Sequence, residues 1–426
     1  MNSYQKTLQY LFNLQLIGIK LGLDNVSELL NYLDNPQKKW PAVHVAGTNG
    51  KGSTAAFLFS ILIQSGLRVG LYTSPHLVDF SERIRVNNRR ITWEEIVDYT
   101  QGIKPQIDKN NNTFFEATSA IAFQYFADQQ VDIAVIETGL GGRLDATNLV
   151  EPLISVITPI GYDHQQYLGE TIQQIAEEKA GIIKQGVDCV TNNNSPLILE
   201  VIQKACKVRG SRLHCIDPEK AIRNIRIKLR SSKFDLMDTD YGFKDLEISL
   251  AGDHQINNAA LAVHTGVKLE TIQLTERQIR DGLKTAQWPA RLQIIQENPM
   301  VILDVAHNID GFKNVFNFLK GCLPEQKISI IAGLAKDKDY SQIADVISDS
   351  AFRVGIVKNF SDRALPSDML KNSLKMSNER ILEFNFIDEA YSTMKDSLAE
   401  DEFLLIIGSH YLAGEFLKKY KNIDFK

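Results

Sequence analysis

Residues 41–66, PAVHVAGTNGKGSTAAFLFSILIQSG, decide how this chain of 426 residues reads. Residues 42–46 are a short apolar run ending in glycine, as a strand does when it enters a tight turn. Gly47, Thr48, Asn49, Gly50, Lys51, Gly52, Ser53 and Thr54 follow, then an apolar segment with helical spacing. Strand, glycine loop with Lys-Gly-Ser, helix is the layout of a phosphate-binding loop. Glycines let backbone N–H groups come close to phosphate oxygens. The helix start adds unpaired N–H groups and the positive end of its dipole. Lys51 supplies a mobile charge for the outer phosphates, and Ser53 or Thr54 a hydroxyl for magnesium. Val45 stands where the commonest pattern has its first glycine, and Gly52 separates Lys51 from the hydroxyls. A glycine turn between a strand and a helix is often only a turn. The lysine and two hydroxyls in register favour the phosphate reading, in a particular branch of nucleotide-binding proteins.

Working outward, each later apolar strand ends in polar residues, which is where open α/β sheets bind ligands. Residues 68–72 lead to Thr73, Ser74, Pro75 and His76. Residues 131–136 lead to Glu137, then to Gly139, Gly141, Gly142, Arg143 and Asp145. A carboxylate at a strand end is often inert, but one beside such a loop can hold magnesium or orient water. Residues 153–160 lead to Asp163 and His164, although a lone histidine is more often structural than a ligand. Residues 171–180, TIQQIAEEKA, form a helix whose charges, Lys179 included, read by pattern alone as a solvated face. Helices are expected at 92–108 and 114–127, and one capped by Asp24 or Asn25.

Residues 210–250 lose the α/β rhythm and suggest an antiparallel ribbon. Helices follow from about 252, with His254, Asn257 and Asn258 at the start, and from the cap Thr275. After Trp288, Pro289, Ala290 and Arg291 a second alternating series begins. Its strands are expected at 301–305, 328–332, 353–357, 383–387 and 403–407. The expected fold is α/β. A parallel-sheet domain like the phosphate-loop nucleotidases, with a small antiparallel ribbon, spans residues 1–288, and a smaller Rossmann-like domain spans 289–426.

Net charge −5 argues against a nucleic-acid surface. Cys189, Cys206, Cys215 and Cys322 lack metal-cluster spacing, so buried free thiols in a reducing cytoplasm are expected. No apolar run approaches the ~20 residues that span a bilayer, and the N-terminus lacks a signal peptide's apolar core. A cytoplasmic protein is expected.

The motifs HVAGTNGKGST, TSPHL, FFEATSAIAF, ETGLGGRLDATN, DHQQYLG with EEKAGIIK, and WPARL followed by LDVAHN resemble, in order and spacing, the folylpolyglutamate synthase and dihydrofolate synthase family. These are relatives of the Mur ligases. The resemblance runs from about residue 18 to GSHYLAGEF, and the inserted Gly52 is the family's own form of the loop. It implies that ATP phosphorylates a carboxyl group of a pterin-containing acid, dihydropteroate or a tetrahydrofolate, and that the amine of L-glutamate attacks the acyl phosphate. It places ATP on residues 47–54, Asn258, Arg291 and Asp304, in a cleft between the domains. It places magnesium on Ser74, Glu137 and His164, with a second metal site and a monovalent cation as further candidates. Lys179 matches a lysine carried as a carbamate, and Lys51, His164 and Lys179 are the implied catalytic set. Phe115, Glu116, Ala117, Thr118, Leu144, Asp145 and Ala146 fall on pterin-acid positions, and His307 and Ser409 on the glutamate side. A monomer is expected by analogy. Two other functions share parts of this pattern: a Mur-type ligase, whose loop lacks the glycine after lysine, and a nucleotide switch, which would carry an Asn-Lys-x-Asp motif absent here.

Overall fold

Ala42, Val43, Val45 and Ala46 are apolar in both side-chain directions, and such a strand is stable only when covered on both faces. The computed structural model, which describes residues 2–18, 20 and 22–420, buries it mid-sheet. Met1, Ile19, Leu21 and residues 421–426, included in the expected domain spans, lie outside the described residues. The first sheet holds β1 (Ala42–Ala46), β2 (Val69–Tyr72), β3 (Ile84–Val86), β4 (Arg89–Arg90), β5 (Ile133–Glu137), β6 (Pro152–Ile157), β7 (Asp188–Thr191) and β8 (Leu213–Cys215). Their order is β4-β3-β2-β5-β1-β6-β7-β8. The run from β2 to β8 is parallel, and β3 and β4 add antiparallel at one edge. The loops that leave β1, β2, β5 and β6 therefore share one end of the sheet.

One polar side chain interrupts β1. His44 is fully buried, its Nε2 lies 2.8 Å from Thr147 Oγ1, and burial pushes its pKa down to about 3, so the ring is neutral. Helix Lys51–Gln64, which follows the loop, is apolar nearly all round and is buried along most of its length. Helix Phe114–Asp128 is also largely buried, and a reciprocal capping box between Thr113 and Glu116 fixes its start.

The chain divides into two compact units. One comprises Met1–Arg223, Asp235–Leu246 and Asn257–Ala286; the other comprises Asn224–Phe234, Glu247–Ile256 and Gln287–Lys426. The second unit thus takes in parts of a three-stranded ribbon, β9 (Ile222–Ile227), β10 (Ser232–Met237) and β11 (Gly242–Ile248), as well as everything after residue 286. Its own sheet holds β12 (Gln293–Glu297), β13 (Met300–Leu303), β14 (Lys327–Ala332), β15 (Arg353–Val357), β16 (Ile381–Phe384) and β17 (Glu402–Ile407), in the order β12-β13-β17-β14-β15-β16. Only β12 runs antiparallel. Phe312, Phe316, Ile330, Ile343, Phe403 and Leu405 are among the residues of its core.

Three local expectations are corrected. The helix placed after an Asp24 or Asn25 cap runs Asp24–Tyr32 with Leu23 as its cap, so Asp24 instead puts its charge in the first turn. The strand expected at 383–387 is β16, two residues earlier, because Ile387, Ala390, Tyr391 and Met394 form the buried stripe of helix Ile387–Asp396. Of the four thiols expected to be buried, Cys189 and Cys206 are, whereas Cys215 is exposed and Cys322 half-buried. The antiparallel strands β3, β4 and β12 are additions to the expected series. Among the described residues no helix is long and apolar enough to cross a membrane.

Candidate active site

The loop after β1 is held open by its own backbone. Gly47 and Gly50 have φ of +153° and +85°. A Cβ at Gly47 would fall 1.8 Å from Thr158 Oγ1, and one at Gly50 would fall 2.3 Å from Asn258 Oδ1. Both positions therefore require glycine. The N–H groups of Thr48 and Asn49 donate to the Pro159 carbonyl at 3.0 and 3.2 Å. Thr48 Oγ1 donates to the Gly161 carbonyl and accepts from the Gly161 N–H. The first intrahelical bond runs from Thr54 N–H to the Gly50 carbonyl. The N–H groups left for an anion are those of the helix start, Gly50 to Ser53, which have no intrahelical acceptor.

Two ammonium groups converge on this loop. Lys51 Nζ donates to the Gly47 and Thr48 carbonyls at 3.1 and 3.3 Å. Lys179 Nζ donates to the same Gly47 carbonyl at 2.7 Å. Lys179 is 4% exposed, so the solvated-face reading of its helix does not hold at this position. Burial first, and the neighbouring Lys51 charge second, push its pKa down to about 7, against the pull of Asp163 and Asp145.

The neighbouring strand ends add carboxylates and hydroxyls. The Ser74 N–H, beyond β2, donates to Glu137 Oε2 at 3.1 Å, and Glu137 is buried at the end of β5. His164, beyond β6, has φ of +51°, its N–H bonds Asp163 Oδ1, and its Nε2 lies 3.7 Å from Asp163 Oδ2. Among the described residues no three His, Cys, Asp or Glu side chains form a ready metal cage. The donor set at these ends nevertheless fits magnesium: it is rich in oxygen, and the Thr54, Thr138 and Thr158 hydroxyls are buried with no hydrogen-bond partner.

The expected acceptor-binding residues divide. A Cβ at Gly139 would fall 2.4 Å from the Phe115 ring, which places Phe115 over the loop after β5. Asp145 Oδ2 accepts from the Gly139 and Leu140 N–H groups at 2.9 and 2.8 Å, and its Oδ1 from Thr147. Burial pushes its pKa up, and these donors oppose the shift. Leu144 is half-buried, and Ala146 opens the short turn Ala146–Leu149. Glu116 Oε2, by contrast, accepts from the Thr113 N–H at 2.6 Å as part of the helix cap. Ala117 and Thr118 are fully buried behind the loop, with Thr118 Oγ1 3.1 Å from the Tyr72 hydroxyl. The chain Asp145–Thr147–His44 is a feature that sequence reasoning missed, since a histidine inside an apolar strand carries no signal of its partner.

In the second unit, Asp304 lies just beyond β13. Its carboxylate accepts from the Leu292 and Ala306 N–H groups at 2.8 and 2.7 Å. Burial pushes its pKa up, and the Arg291 charge partly opposes this. Arg291 sits between Ala290 and Leu292, both at positive φ, and donates to the Ala290 carbonyl. Beyond β17, Ser409 accepts from the Leu412 N–H as the cap of helix His410–Lys419. His307 Nδ1 lies 3.0 Å from the Val305 carbonyl, and its ring centroid is 5.4 Å from that of His410.

Two family models match this chain, the Mur ligase middle domain over residues 45–266 and the Mur ligase glutamate ligase domain over 290–410. Fold and domain order are those of a Mur-type ligase. A Bacillus subtilis dihydrofolate synthase/folylpolyglutamate synthase is 35% identical over 98% of this chain and 99% of its own. A Mycobacterium tuberculosis folylpolyglutamate synthase, solved with ADP and AMPPCP, superposes with TM-score 0.92 at 29% identity over the whole of both chains. An FPGS–AMPPCP–folate complex superposes at 0.84 with 33% identity over 98% of this chain and 99% of that one. The protein belongs to the folylpolyglutamate synthase/dihydrofolate synthase family.

Proposed function

We propose that this protein is an ATP-dependent ligase that joins L-glutamate to a folate-type carboxylate, acting both on dihydropteroate and on tetrahydrofolates. The convergence of Lys51 and Lys179 on the Gly47 carbonyl carries the chemical part of this reading. A carboxylate is a poor electrophile, and phosphorylation divides one difficult step into two easier ones. The acceptor carboxylate attacks the γ-phosphorus, ADP leaves, and the acyl phosphate is then attacked by the glutamate amine, which expels phosphate and loses a proton. Charge passes between anions throughout, so positive groups and oriented N–H groups do most of the stabilising. The N–H groups of Gly50 to Ser53 and the Lys51 ammonium bind the triphosphate, and Asn258, Arg291 and Asp304 are the further ATP contacts that the resemblance implies. Ser74, Glu137 and His164 would hold magnesium, which supplies charge neutralisation for the phosphates when bound.

A Lys179 pKa of about 7 leaves a sizeable neutral fraction at neutral pH. That supports a carbamate there: the free amine attacks CO2, one proton leaves, and a cation becomes an anion able to bind a second metal. The ring of Phe115, Leu144, Asp145 and Ala146 lines the acceptor side, and His307 with Ser409 the glutamate side. Residues 1–288 would carry ATP and the pterin acid, and residues 289–426 the glutamate. The folate complex of a close structural relative supports the acceptor class.

Purified protein given ATP, magnesium and glutamate, with dihydropteroate and tetrahydrofolate in parallel, tests this. Phosphate release with both acceptors is the expected result. Release with tetrahydrofolate alone would restrict the enzyme to polyglutamate extension, and release only with uridine-linked muramyl substrates would make it a peptide ligase.

A further inference from the structure

Directly after β7 the chain reads Asn192-Asn193-Asn194, a run that neither the resemblance nor the proposed chemistry uses. Asn193 is 5% exposed, and its side chain is saturated with bonds. Its Nδ2 reaches the Ile157 carbonyl at 3.3 Å, the Thr158 carbonyl at 3.1 Å and Thr191 Oγ1 at 2.8 Å. Its Oδ1 accepts from the Ile160 N–H at 3.0 Å. These groups flank Pro159. The Ile160 N–H and the Pro159 carbonyl belong to one planar peptide unit, so fixing one fixes the direction of the other. That carbonyl takes both Thr48 and Asn49 N–H groups. Next to it, Asn192 Nδ2 donates to the Asn257 carbonyl, beside the Asn258 that touches Gly50.

We propose that Asn193 is a positioning residue for the nucleotide loop: it locks the Pro159–Ile160 peptide so that residues 48 and 49 are fixed before ATP arrives. A side chain with one acceptor and two donors is suited to this, because the stretch offers one N–H and two carbonyls. Aspartate would turn carboxylate oxygens toward those carbonyls.

This inference rests on the reading of residues 47–54 as the ATP loop, so its test has one arm that needs nucleotide and one that does not. Asn193→Ala and the near-isosteric Thr191→Val would be compared with the full-length parent. In the first arm, Asn193→Ala should weaken AMPPCP binding and raise the KM for ATP about tenfold, with the KM for glutamate within about twofold; Thr191→Val should cost about threefold. In the second, hydrogen exchange of residues 47–49 without nucleotide should quicken in both variants. A folded Asn193→Ala protein with unchanged AMPPCP affinity and unchanged exchange overturns the inference. If that variant does not fold, Thr191→Val decides by the same two readouts. A parent that fails to bind AMPPCP removes the ATP reading, and the exchange arm still decides whether Asn193 fixes the loop.

Discussion

Both sheets bury their central strands on two faces, both have an antiparallel edge, and both present polar side chains beyond their carboxyl ends. They differ in what those ends hold. Beyond β1 and β5 the first sheet has a buried ammonium, a second ammonium on the same carbonyl, and a buried carboxylate. Beyond β13 and β17 the second has a carboxylate tied to two backbone N–H groups and a pair of imidazoles. Close like charges are tolerated inside a fold where an arriving anion will relieve them. Under the proposed function the first sheet would handle the phosphates, and the second would hold and orient.

The largest expected effect breaks that contrast if it fails. Lys51→Ala should reduce kcat/KM for ATP by about 10³, measured by steady-state phosphate release. Asp304→Ala should cost only about 10–10², because it removes positioning rather than charge at the reacting phosphate. Equal losses would mean that the chemistry is not concentrated at the first sheet.

A third measurement sharpens the electrostatic half of the comparison. Unfolded Lys179 keeps its proton up to its ordinary 10.5, whereas folded it gives it up at about 7. Between those values the unfolded chain binds more protons, so stability must rise with pH across this window. Below pH 7 the full cost of the buried charge is present. Urea unfolding without ligands should show Lys179→Met losing about 2 kcal/mol of the rise between pH 7 and 9. Lys184, pushed down to about 8 by burial and by Arg209, adds a slope of the same sign, so the variant's profile should flatten without becoming level.

The smallest expected effect separates cap from contact. Glu116→Gln keeps the capping box, so melting temperature should hold, with stability changing by less than about 0.5 kcal/mol. A raised KM for the folate acceptor in the same variant would show that the carboxylate also meets substrate.

The loop after β1 was legible because glycine, lysine and hydroxyl spacing is itself the physical requirement. Glu137 and His164 were legible as strand-end residues, since a parallel strand's apolar run marks where it stops. Ser74, Asn258 and Arg291 became readable through whole-chain resemblance, because their partners lie far off in sequence. Lys179 shows the limit of local pattern: its neighbours Glu177 and Glu178 look solvated, while its own amine is buried against Gly47. β3 and β4 stayed hidden although Asn87-Asn88 between IRV and RRI is a hairpin signal, with Asn87 at φ +50°. β12 is short, polar and half-buried, and it is defined by its pairing with β13.

The outermost strand of the first sheet, β4, is only two residues long, and both are arginines: Arg89 is paired with Glu95, and Arg90 lies 3.7 Å from Glu82. A stray strand seeking to extend the sheet there would find little backbone to bond and two guanidinium groups to strip of water. At the opposite margin β8 offers three residues. The sheet that carries the glycine loop is thus also poorly suited to recruiting foreign chains, a safeguard against aggregation written into its margins.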